Sequence, residues 1–185
     1  MRLLFHSCCG PCVTGCLETL RAENIEPELF WYNPNIHPYT EYTARRDSLA
    51  LVAKTENLQF TIIDEYGLRD FIRGAGADID NGPNTSGALR CMYCYRTRLE
   101  RTALEACALG YDAFGTSLLV SPYQRHDDIR RIGEDIAERY KKPFYYRDFR
   151  PHYREGQQKA RAAGLYMQKY CGCIFSEEER YVKKS

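Results

Sequence analysis

An α/β fold, with a mainly parallel sheet flanked by helices, is the class this sequence predicts. Three observations carry it. Short apolar, strand-like runs alternate with longer segments of helical periodicity along the chain. No internal repeat or linker interrupts that alternation. The length, 185 residues, suits one domain, residues 1–185, with a sizeable core. At 44% hydrophobic, 28% charged and net charge +1, the composition is that of a folded chain rather than a disordered one.

The elements follow in order. Residues 2–6 (RLLFH) read as a short buried strand. Residues 12–23 read as a helix, with Val13, Cys16, Leu17 and Leu20 on one face. Residues 27–32 (PELFWY) give a second strand, and 39–54, carrying Tyr42, Leu49, Val52 and Ala53 among charges, a second helix. Residues 59–63 (QFTII) give a third strand, followed by a short helix around 66–73. The glycine-rich stretch 74–87 is a loop by composition. Residues 92–109 read as a helix and 112–116 as a fourth strand. Ser121, Pro122 and Gln124 have the residue types of a helix start, so a helix is expected from there to about Tyr140. Residues 143–146 are expected as a fifth strand, 150–162 as a helix, and 174–185 as a fraying terminal helix. The order suggests a Rossmann-like domain, in which ligands bind beyond the carboxyl ends of the strands.

Nine cysteines, at 8, 9, 12, 16, 91, 94, 107, 171 and 173, set the chemistry. Met1–Phe5 runs straight into His6, Ser7 and a cysteine cluster, so no secretory signal is expected. Mean hydropathy is −0.55, and no apolar run suits a membrane span. A cytoplasmic location is therefore expected, where disulfide frameworks are rare. Cys16 and Cys107 fall on apolar helix faces and are expected in the core. Seven thiols remain, in SCCGPC, CMYC and CGC. The clustering leaves three chemistries open: an iron–sulfur cluster, zinc, or a redox dithiol. Seven thiols exceed the four that zinc needs. Cys171 and Cys173 suit a redox pair, because Gly172 lets the backbone turn tightly. Cys9–Cys12 and Cys91–Cys94 are expected at helix starts, where exposed N–H groups favour thiolates.

Absent motifs narrow the field. There is no GxGxxG fingerprint, no GxxxxGK[ST] phosphate loop, and no SGGxDS-type loop after the first strand. ATP hydrolysis is not predicted. The near-neutral charge hides a local bias. From Arg139 to Lys169 there are nine basic residues and two acidic ones, interleaved with seven aromatics and followed directly by Tyr170. Such a segment suits either a solvated face or an RNA surface, with cations for phosphates and rings for unpaired bases.

Six ordered segments then coincide: HSCCGPC, YNPNIHPYTEY, RCMYCYRTRLERTA, TSLLVSPYQ, YYRDFRPHYREG and LYMQKYCGCIFS. Together they resemble the epoxyqueuosine reductases of the QueH type, the cobalamin-independent enzymes of tRNA queuosine synthesis, from about Leu4 to Ser176. The resemblance implies deoxygenation of the epoxide of epoxyqueuosine at the tRNA wobble position, with electrons from an external low-potential donor. It also implies a [4Fe–4S] cluster and an additional iron. On that basis Cys8 or Cys9 would join Cys91 and Cys94 on the cluster. The other of the pair, with Cys12, Cys171 and Cys173, would serve the second metal. Alternatively, Cys171 and Cys173 would donate electrons as a dithiol. Asn33, Asn35 and His37, beside Tyr32, are candidates for contacting the modified base. Tyr123 and Gln124 would face the substrate or supply a proton, while Ser121 is explained by capping. Arg147, Arg150 and Arg154 suit the tRNA backbone, with Asp148 as an ordering partner. His6 fits either a satisfied core histidine or a site role.

Overall fold

The computed structural model describes residues 1–76 and 86–182. Four parallel strands form one sheet: β1 (Leu3–His6), β2 (Pro27–Trp31), β3 (Phe60–Ile62) and β4 (Ala113–Thr116), in the order β3-β2-β1-β4. Every residue of β1 and β4 is buried. That follows from their place in a parallel sheet covered by crossover helices. The helices are α1 (Gly10–Ala22), α2 (Tyr39–Thr55), α3 (Leu68–Gly76), α4 (Ser86–Ala108), α5 (His126–Tyr140), α6 (Tyr153–Ala162) and α7 (Ile174–Tyr181). Among the described residues no helix is long and apolar enough to cross a membrane.

The chain runs from β1 outward to β2 and β3, then returns to place β4 on the other side of β1. The order therefore reverses at β1. The loops leaving β1 and β4 diverge there and open a crevice at the carboxyl edge of the sheet. The two loops are tied across it: the Cys8 amide donates to Ser117 Oγ at 3.3 Å. Helix α1 starts in this crevice and is gripped from behind by α6. Gly15 and Gly156 meet at that crossing, where a Cβ on Gly156 would collide with the Gly15 backbone.

Four expectations need correction. Residues 143–146 do not form a fifth strand. Phe114 donates to the Pro143 carbonyl and Tyr145 to the Phe114 carbonyl, and pairing stops at one bridge, Phe114–Phe144. Ser121 does not begin a helix. It closes a 3-10 turn over Ser117–Val120 by donating to the Leu118 carbonyl. Its Oγ and carbonyl then accept from the amides of Tyr123 and Gln124, and α5 starts only at His126. Helix α4 begins at Ser86 rather than 92, so Cys91 and Cys94 lie beyond its first turn, out of reach of most of the N-terminal dipole effect. Cys107 is exposed, whereas Cys16 is fully buried as expected. The buried face of α4 is Leu99, Thr102, Ala103 and Ala106, and position 107 is turned past it.

Smaller differences concern ends. The 150–162 helix opens as a 3-10 turn, Arg150–His152, before α6. Of the expected loop 74–87, Gly74–Gly76 belongs to α3 and Ser86–Gly87 to α4, while 77–85 lies outside the described residues. Residues 183–185 of the expected terminal helix lie outside them as well.

Candidate metal centre

Cys9 is the N-cap of α1, in extended conformation, and Pro11 follows within the first turn. This sharp strand-to-helix transition turns Cys8, Cys9 and Cys12 towards each other. Their three Sγ atoms lie within 4.8 Å of one another, and Cys8 and Cys9 are 3.8 Å apart. All three are buried. Thiol hydrogen bonds from Cys12 and Cys9 hold Cys8 well below the usual thiol range. Burial holds Cys9 above that range, and donation to Cys8 and Cys9 does the same for Cys12. The triad thus favours a thiolate at Cys8 even before any cation arrives.

The other four thiols come from α4 and from the segment before α7. Cys94 and Cys173 share a small apolar cluster with Phe71 and Ala75. Burial pushes the Cys94 thiol up to about 12. Cys91 is half-buried, raised first by burial and then by Cys171, and lowered by Arg90. Cys171 is exposed and Gly172 has φ +130°, a left-handed conformation that glycine tolerates and that turns the CGC segment sharply. This segment is held from two sides. His37 donates its amide to the Gly172 carbonyl at 2.8 Å. Arg45, almost fully buried, donates to the carbonyls of Tyr170 (2.9 Å) and Cys171 (3.0 Å), and to Glu41 at 2.7 Å.

Cys8 and Cys12 of the first group and Cys171 of the second line a cavity of about 450 Å³, together with Arg45, Tyr123, Gln124, Gln168 and Lys169; Cys9, Cys91, Cys94 and Cys173 stand behind its wall. Gln124 Nε2 donates to Cys171 Sγ at 3.4 Å, and Gln168 Nε2 to Cys12 Sγ at 3.5 Å. Tyr95 donates to Gln124 Oε1 at 2.7 Å, which fixes the amide with its NH₂ towards the sulfur. Tyr123 stands at the rim, 82% exposed, edge-on to Tyr153.

Comparison with known proteins decides the family. The family model Epoxyqueuosine reductase QueH matches residues 3–179. The chain belongs to that family. Its members are oxidoreductases by name, and so is this chain. It is 37% identical over 183 residues to Epoxyqueuosine reductase QueH of Thermotoga maritima, covering 98% of this chain and 93% of the relative. It is 31% identical over 182 residues to the Dehalococcoides mccartyi protein of the same description, covering 98% and 96%. A crystal structure described as a predicted subunit of tRNA methyltransferase, from Methanocaldococcus jannaschii, superposes with a TM-score of 0.52 at 14% identity. It covers 100% of this chain and 94% of that one, and shows likeness of fold alone.

Within this QueH-family chain the expected residues separate into several environments. Tyr123 and Gln124 line the cavity with Cys8, Cys12 and Cys171. Asn33, Asn35 and His37 are buried away from it. Asn33 donates to the Ser7 carbonyl at 3.0 Å and its Oδ1 meets His6 Nε2 at 3.2 Å, which braces the end of β1. His6 also meets Thr116 Oγ1 at 2.9 Å, so it joins β1 to β4 as a satisfied core histidine. Burial pulls its pKa down to about 3, keeping it neutral. His37 Nε2 sits 3.1 Å from the Pro34 carbonyl, while Asn35 Oδ1 and His37 Nδ1 are buried without a partner. Arg147 pairs with Glu23 at 3.1 Å and Arg150 with Asp148 at 2.6 Å. Arg154 is exposed and follows the cavity residue Tyr153.

Three arginines surround the thiols and were not singled out from the sequence. Arg45 feels Cys9 and Cys8, Arg98 feels Cys94, Cys171 and Cys8, and Arg90 feels Cys173 and Cys91. Two of them, Arg45 and Arg98, are almost fully buried. Buried cations are stable only beside matching negative charge. The donor set is therefore sulfur, crowded and ringed with positive charge, which suits an anionic thiolate-ligated metal group. Position in sequence gave no sign of this, since 28% of the residues are charged. The only cue was the four arginines of the twelve-residue run RCMYCYRTRLER, which include Arg90 and Arg98 but not Arg45.

Proposed function

We propose that this chain reduces epoxyqueuosine in tRNA to queuosine, as the names of its relatives and the thiol-lined cavity support together. The reaction consumes two electrons and two protons. Both epoxide C–O bonds break, a C=C bond forms in the ring, and the oxygen leaves as water. The observation that carries this reading is the convergence of Cys8, Cys12 and Cys171 on one cavity at the sheet's switch point. The seven cysteines of SCCGPC, CMYC and CGC would hold a [4Fe–4S] cluster and an additional iron. When bound, such a pair supplies electrons and a Lewis acid for the oxygen.

The chain's own groups do the rest. Gln124 presents an oriented N–H donor beside Cys171, suited to an oxygen acceptor entering the cavity. Tyr123, exposed at the rim, offers a stacking face for an unpaired base and a hydroxyl for proton delivery. Arg147, Arg150 and Arg154 would contact the anticodon-arm phosphates, Arg147 and Arg150 exchanging their carboxylate partners for phosphate. Of Asn33, Asn35 and His37, His37 backs the CGC segment through its amide bond to the Gly172 carbonyl and Asn33 braces the end of β1, so these loop residues would act on the substrate through the framework rather than by contact. Electrons come from an external low-potential donor. The chain works as one domain in the cytoplasm, a reading supported by one main core shared by the sheet and α1, α2, α4, α5 and α6.

The cofactor part of this reading is tested by anaerobic purification followed by iron, acid-labile sulfide and zinc analysis. Brown protein with iron and sulfide in cluster proportion is expected. Colourless protein with stoichiometric zinc would overturn it.

A further inference from the structure

Arg98 is 3% exposed, yet among the described residues it makes no ion pair with a carboxylate. Its Nε donates to the Cys94 carbonyl at 3.1 Å, and its Nη2 donates to Cys94 Sγ at 3.1 Å. The guanidinium therefore grips both ends of one cysteine, one helical turn earlier on α4. A carbonyl and a thiol do not neutralise a buried guanidinium. Burial of such a group without a counter-charge is strongly unfavourable, so isolated cases are rare. The negative charge that completes the site is the thiolate-ligated group itself. Two further features agree. Negative charge at Cys171 or Cys8, as at Cys94, would also stabilise the Arg98 guanidinium, so its charge serves both thiol groups. Its hydroxyl-bearing neighbour Thr102 donates to the Arg98 carbonyl at 2.7 Å, anchoring this stretch of α4 in the core.

We infer that Arg98 is the resident counter-charge and positioning residue of the Cys94 ligand. It fixes the sulfur's direction, compensates the anionic centre, and holds its reduction potential up. The inference rests on the cofactor reading above. Hydrogen bonds to ligand sulfur and local charge both set the potential of such centres, and positive charge favours the electron-rich form. Arg98 touches no substrate in this account; it acts through Cys94.

The test uses the full chain, purified anaerobically, as wild type, Arg98→Met and Arg98→Lys. Metal content, resistance to a chelator and the midpoint potential are measured, with circular dichroism as the check on folding. Arg98→Met is expected to lose metal to the chelator ~10–100-fold more readily, as removal of an outer hydrogen-bond partner does elsewhere. Its midpoint potential should shift to more negative values. Arg98→Lys keeps the charge but not the fork, and should shift in the same direction by less. If Arg98→Met does not fold, the shift in Arg98→Lys decides. A folded Arg98→Met with wild-type potential and chelator resistance overturns the inference, and so does an unshifted Arg98→Lys. If wild type carries zinc and no iron or sulfide, the cofactor reading fails instead. The role of Arg98 is then decided by zinc retention in Arg98→Met, where wild-type retention overturns it.

Discussion

Replacing Arg45 with methionine removes a guanidinium that is 1% exposed and makes three hydrogen bonds, to Glu41 Oε1, the Tyr170 carbonyl and the Cys171 carbonyl. Glu41, 7% exposed, would keep only the Tyr166 hydroxyl as a partner. Breaking a buried pair from one side strands a charge, at a cost of ~3–5 kcal/mol. That is a large part of the ~5–15 kcal/mol by which domains are usually stable. Urea unfolding should therefore show Arg45→Met destabilised by about that amount. Adding Glu41→Gln removes the stranded carboxylate and should restore ~1–2 kcal/mol, because neutral replacements of both partners are better tolerated. Turnover should fall further than the folded fraction does, since the CGC segment loses its clamp. A loss below ~1 kcal/mol in the single variant would refute the reasoning, as would strict additivity in the pair.

Other outcomes follow from the same structure. Gly156→Ala puts a methyl group into the Gly15 backbone, and overpacking of this kind costs ~1–3 kcal/mol; a raised melting temperature would show that the α1–α6 crossing is looser than described. Burial pulls His37 down to about 4, against ~6.5 in the unfolded chain, so its contribution is complete above pH 6.5 and is lost as pH falls towards 4, at up to ~1.4 kcal/mol per pH unit. His6, held at about 3, adds to the same acid limb. The stability–pH slope of His37→Asn should be shallower than wild type across that window; equal slopes would count against a neutral buried imidazole. Tyr123→Ala should leave stability unchanged, because the ring is exposed, but raise the KM for tRNA about tenfold through loss of ~1–3 kcal/mol of stacking. Unaltered steady-state kinetics would remove Tyr123 from the substrate surface.

The sheet was legible because β1, β2 and β4 are short apolar runs followed by helices of clear periodicity, and a parallel sheet follows from that alternation. The thiol loop SCCGPC was legible for a local reason: its cysteines lie within five residues, so proximity in sequence becomes proximity in space. What could not be read depends on tertiary contacts. Ser121 has the composition of a helix cap, but its amide and carbonyl are spent on turns before α5. Cys107 shares the spacing of Ala103, yet the packing of α4 buries Ala106 and leaves 107 outside. Asn33 and His37 sit in a loop rich in binding-type residues, and only their partners, the Ser7 and Pro34 carbonyls, reveal bracing contacts. Arg45 and Arg98 look like ordinary helix charges until burial and the nearby sulfurs give them a purpose.

The most direct measurement is nucleoside analysis of epoxyqueuosine-containing tRNA after anaerobic incubation with the purified chain and a low-potential reductant. Conversion to queuosine is expected with wild type and not with Cys12→Ser. Unchanged epoxyqueuosine, in the presence of protein shown to carry its full iron and sulfide, would contradict the account.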